Sequence, residues 1–119
     1  MSRNRILIVA VVLVLFVAAG GVLIFMSAHK GGQKLTFNLT VTSANSMTPN
    51  SLSAHQNDNV TINITSDTTG EVHLHVYDIA FNAIAGQTVS HTFTADKTCS
   101  CDIEWESTST PLGTLTVSP

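Results

Sequence analysis

The stretch Gly70-Glu71-Val72-His73-Leu74-His75-Val76-Tyr77-Asp78 decides how the chain is read. Val72, Leu74 and Val76 alternate with Glu71, His73, His75 and Tyr77, the period of a β-strand with one apolar and one polar face. Two of the five histidines therefore share the polar face of one strand, two residues apart.

Working outward, the same alternation recurs at intervals of about ten residues. Leu35, Phe37, Leu39 and Val41 form a first strand, and Val60, Ile62 and Ile64 another. Val89, His91, Phe93 and Ala95 follow the histidine stretch, then Cys101, Ile103 and Trp105, then Leu115 and Val117. Thr42 to Asn59 reads mostly as loop, with room for a short strand near Leu52. Gln56 to Asn59 is a turn signal, and Ile79 to Gly86 is irregular. With no helical period beyond the N-terminal segment, the pattern predicts an all-β antiparallel sandwich of about seven strands with Greek-key connections.

Ahead of these strands, Ile6 to Met26 runs 21 residues without a charge or a proline. As a helix that run spans roughly 30 Å, the thickness of a bilayer's hydrocarbon core. It is longer than a signal-peptide core and no clean small-residue cleavage site ends it, so a retained anchor is expected. Arg3 and Arg5 precede it, which predicts a cytoplasmic N-terminus at residues 1–5, a single transmembrane anchor at 6–26 and a tether at 27–34. The domain at 35–119 then lies outside the cell or in the periplasm. From Gln33 onward, two lysines and no arginine face five aspartates and three glutamates, a net charge of −6. So acidic a domain argues against nucleic acid as a partner and suits a cation or a basic protein.

The order of several short motifs resembles the bacterial and archaeal cupredoxin-like domains. They are Gln56 to Val60, Gly70 to Asp78, Ala85 to Thr88, Phe93 to Lys97, Ile103 to Glu106 and Leu112 to Val117. The resemblance implies a cupredoxin sandwich and a link to copper. The blue-copper ligand set departs from it: after Cys101 the chain has neither a histidine nor a methionine. A type 1 copper site and its dinuclear variant both need those residues. The resemblance therefore points to a module that handles copper, or assists electron transfer, at a site of another kind. The competing expectation is a metal-free structural or protein-interaction domain of the same fold.

Two constellations carry candidate ligands. His73 and His75, completed by Glu104 or Glu106 from another strand, offer nitrogen and oxygen donors suited to Cu(II), Zn(II) or Fe(II). On parity, all four lie on the face opposite the core. Cys99 and Cys101 form the alternative site, with three fates open: an intramolecular disulfide, an intermolecular disulfide or a metal thiolate. In a regular strand their Cα atoms stand about 6.6 Å apart, so a disulfide within the pair needs a bend. Cys99, Cys101 and His91 share parity with core residues, which separates them from His73 and His75. Asn38, Asn59 and Asn63 each begin a glycosylation triplet. No nucleophile–base pair or phosphate loop is present, so no enzymatic activity is expected.

Overall fold

The structure, a computed structural model, describes residues 32–119. The expected anchor at 6–26 lies outside the described residues, and among these no helix is long and apolar enough to cross a membrane. Nine strands follow in order: β1 (Lys34–Thr42), β2 (Ser46–Thr48), β3 (Ser51–His55), β4 (Asn59–Ser66), β5 (Gly70–Leu74), β6 (Ile79–Ala83), β7 (Thr88–Thr94), β8 (Cys99–Trp105) and β9 (Thr110–Ser118). A 3-10 turn at Glu106–Thr108 separates the last two.

The strands make two sheets, ordered β2-β1-β4-β7 and β3-β9-β8-β5-β6. Their facing sides bury one core. Leu39, Val41, Val60, Ile62 and Ile64 come from the first sheet, and Val72, Leu74, Phe81, Ile103, Trp105, Leu115 and Val117 from the second. Apart from Phe81, these are the positions that the alternation selects, because a strand with one wet face buries every second side chain. The first sheet's outer face carries polar pairs across its strands: Thr61 with Thr92, Thr65 with Thr88, and Asn63 donating to Asn38.

Three features differ from the expectation. The sandwich is not wholly antiparallel, since β1 runs parallel to β4 and β3 parallel to β9. The chain visits the other sheet between β1 and β4, which supplies the crossover that parallel neighbours require. The count is nine because β2 and β6 are strands. β6 carries its signal only in Phe81 and Ala83, which are buried, while Ala80 and Asn82 are weak strand formers. Finally, the histidine strand ends at Leu74, and His75 to Asp78 form a tight turn into β6, with Leu74 paired to Ile79. Val76 takes a φ of 74° there and is exposed, so the alternation stops one residue after the second histidine.

The turn before β4 is a latch. The fully buried carboxylate of Asp58 accepts the backbone N–H of Gln33 at 3.0 Å and of His55 at 2.8 Å. Hydrogen-bonded burial of this kind fixes where the chain enters the sandwich.

Candidate metal site

β5 pairs with β6 on one side and β8 on the other, so the outer face at His73 is framed by Ala80 and Glu104. Val72 and Leu74, both fully buried, seat this strand and turn His73 outward. His75 lies just past the strand, where its N–H donates to the carbonyl of Asp102 at 2.9 Å and keeps it against β8. Its ring therefore stays beside that of His73, with centroids 4.5 Å apart and planes inclined by 64°.

Across β8 the register is irregular. Ile103 pairs with Gly113 but Glu104 with Pro111, leaving buried Leu112 as an extra residue in β9. Bulges re-aim neighbouring side chains, and this one lies alongside Glu104. The backbone closes tightly there. A Cβ on Gly113 would lie 2.5 Å from the carbonyl oxygen of Asn50, whose oxygen already accepts the Thr114 N–H. An open cleft of about 470 Å³ is lined by Asn50, Asp102, Glu104 and residues 111–114.

The result is a group of three. His73, His75 and Glu104 place one ligand atom each within 4.8 Å of one another. His75 Nε2 and Glu104 Oε1 are 2.7 Å apart, within hydrogen-bond distance. Four-coordinate bonds of about 2.0–2.2 Å separate neighbouring donors by roughly 3.3 Å, so small side-chain rotations bring this group into one coordination sphere. Two carboxylates flank it. Asp78, from the turn, meets His73 Nε2 at 2.8 Å, and Glu106, from the 3-10 turn, has Oε2 3.4 Å from His73 Nδ1. The latter is close enough for charge attraction but is not a hydrogen bond, and Nδ1 is buried without one.

Of the sequence candidates, the structure thus brings His73, His75 and Glu104 together and sets Glu106 at the rim. Cys99 and Cys101 are elsewhere. They are joined to each other in a disulfide, their Cα atoms drawn to 5.3 Å. The bend needed for that lies inside the paired strand β8. Cys101 faces the core, fully buried. His91, on β7, is exposed, with its ring edge-on to Phe81 at 5.0 Å. Asp78 was not legible as part of the site, because its approach depends on the turn that interrupts the strand.

These donors test the fit of copper. In the disulfide state neither cysteine offers a thiolate, and without a histidine or methionine after Cys101 the type 1 set cannot be assembled. Imidazole nitrogens with a carboxylate, beside a buried imidazole nitrogen lacking a partner, do fit a borderline divalent ion such as Cu(II) or Zn(II).

No family model matches the chain, and no curated protein matches it. Solved structures do. A laccase from Botrytis aclada superposes with a TM-score of 0.61 at 16% identity, over 76% of this chain and 23% of the laccase. A chain of a heme-copper terminal oxidase dimer gives 0.59 at 15% identity, over 97% of this chain and 93% of the other. A copper binding protein in its apo form gives 0.56 at 12% identity, over 75% and 91%. The chain spans 39% of the length of the blue copper oxidase from Nitrosomonas europaea, which it also resembles. At these identities the likeness is one of fold, and the fold is that of the cupredoxin-like copper proteins.

Proposed function

We propose that this chain is a membrane-anchored, extracytoplasmic cupredoxin-like module that binds copper(II) at His73, His75 and Glu104. It serves copper handling or electron transfer as an accessory, without catalysing a reaction itself. The observation that carries this reading is the convergence of two imidazoles and a carboxylate on the outer face of β5 and β8, in a fold shared with copper proteins. The apolar run at Ile6–Met26 behind Arg3 and Arg5 supports the anchor and its orientation. The net charge of −6 from Gln33 onward supports attraction of a cation or a basic partner. Nitrogen and carboxylate donors favour the divalent over the cuprous ion, since soft sulfur ligands are missing from the group.

A second reading has its own observation. His75–Glu104 and His73–Asp78 already satisfy one another at 2.7 and 2.8 Å, as they would in a metal-free interaction domain. Titration of Cu(II) and Zn(II) into the full chain in detergent, followed by metal analysis, separates the two. About one Cu(II) per chain is expected, falling to background in the doubly substituted His73→Ala, His75→Ala variant. Background copper in the unsubstituted chain leaves the metal-free reading standing. Intense absorption near about 600 nm, the mark of a Cu(II)–thiolate bond, would overturn the assignment to histidine and glutamate.

A further inference from the structure

We infer that His73 binds its metal through Nδ1, and that Asp78 is the positioning residue that enforces this. The inference rests on the metal reading above and adds to it the binding atom and its outer partner. A neutral imidazole carries one N–H and one lone pair, and the hydrogen bond made by one nitrogen settles the role of the other. Asp78 Oδ1 is 2.8 Å from Nε2. A carboxylate only accepts, so in the neutral ring Nε2 carries the proton and the lone pair lies on Nδ1.

That lone pair is in an unusual position. Nδ1 is buried and has no hydrogen-bond partner, and buried polar atoms without partners are rare because they are costly. A second acceptor, Glu106 Oε2, lies 3.4 Å away. Two acceptors facing one another repel unless something positive lies between them. A divalent ion at Nδ1 meets that need and brings Glu106 beside it, within reach of the His75–Glu104 pair. Metal-bound histidines commonly give their other N–H to a carboxylate, which fixes the ring and raises its basicity. Asp78 stands where such a carboxylate belongs.

Asp78 contributes little to the fold by itself. Its side chain is 92% exposed, and exposed pairs are weak stabilisers. Its backbone has a φ of 53°, in the left-handed region that Asp and Asn tolerate and Gly adopts freely. Asp78→Gly therefore removes the carboxylate while keeping the turn, and Asp78→Asn restores an acceptor in the same backbone.

The test uses the full chain, ¹⁵N-labelled and loaded with Zn(II), which is diamagnetic. Long-range ¹H–¹⁵N correlation spectra show which ring nitrogen bears metal and which bears the proton. The expected result is metal on Nδ1 and a proton on Nε2 of His73. Zn(II) affinity should fall about 10–100-fold in Asp78→Gly and recover most of that in Asp78→Asn, with the thermal midpoint nearly unchanged. Metal on Nε2, a His73 that stays protonated on both nitrogens, or an Asp78→Gly chain that binds as tightly as the original overturns the inference. If the chain binds metal and loses it in His73→Ala, His75→Ala, that failure concerns Asp78 and Nδ1 alone. If the original chain takes up no metal, the metal reading fails with it.

Discussion

His73–His75 and Cys99–Cys101 are pairs of ligand-forming residues with the same spacing, on neighbouring strands of one sheet, and the sheet uses them in opposite ways. The histidines follow Val72 and Leu74 in antiphase, so their rings leave the core and meet each other and Glu104. The cysteines run in phase with Ile103 and Trp105, so Cys101 enters the core and the two sulfurs combine with each other. Spacing alone proposes a chelate in both places. Parity against the buried residues decides which pair can reach an ion from solvent.

Leu74 puts this to the hardest test, because it lies between the two imidazoles and is fully buried. Leu74→Ala should destabilise the domain by about 2–5 kcal/mol through lost burial and the cavity left behind. Its exposed-face neighbour behaves differently: His75→Ala should move stability by no more than about 0.5 kcal/mol. Urea unfolding midpoints at constant slope measure both. Equal costs would mean that the strand is not seated as its alternation implies.

The cysteine pair provides the next largest effect. A disulfide gains its stabilising power from the loop it closes, and this one spans a sequence separation of only 2. Its contribution should therefore fall below the usual range, at about 1–2 kcal/mol, when both residues are changed to alanine. Copper uptake should be unchanged, because neither sulfur belongs to the histidine group. Loss of copper in Cys99→Ala, Cys101→Ala with uptake intact in His73→Ala, His75→Ala would exchange the roles of the two pairs.

The comparison also marks how far the sequence could be read. The strands flanked by clear turn signals and carrying large apolar residues in alternation were legible, and with them the sandwich, since Val60, Ile62 and Ile64 or Ile103 and Trp105 have only one way to share a core. β2, with Met47 as its single buried residue, and β6, with alanine or asparagine at three of its five positions, carry too little pattern to be seen. The parallel pairing of β1 with β4 depends on the path through the other sheet, which no local pattern encodes. At the site, His73 and Glu104 follow from strand parity and the structure adds their cross-strand register, while His75 is kept beside them past the strand's end by its N–H on the Asp102 carbonyl. Asp78 does not follow, because its place depends on Val76 and Asp78 both turning to positive φ. The cysteine bond needed a contraction of β8 to 5.3 Å that parity cannot foretell.

The smallest effect separates the face of His73 and Glu104 from the opposite sheet under acid. Metal ligands must be deprotonated to bind, so acid releases an ion from the histidine group. Acid also acts on Asp67, just after β4. Its carboxyl lies below the ordinary aspartate value of 3.8, chiefly because the Thr68 hydroxyl donates to it and then because the Ser43 N–H does. A carboxylate depressed by folding stabilises the native state fully above its unfolded value and loses that contribution as pH falls below 3.8 towards the depressed one. Asp67 is fully exposed, so the change is slight and screened by salt. Asp67→Asn should flatten the fall in thermal midpoint below about pH 4. It should leave the pH at which Zn(II) dissociates unmoved, because Asp67 bonds to Ser43 and Thr68 and to none of His73, His75 and Glu104. A shift in zinc release in Asp67→Asn would show that the two faces are coupled through the core, and the contrast between them would no longer be one of independent surfaces.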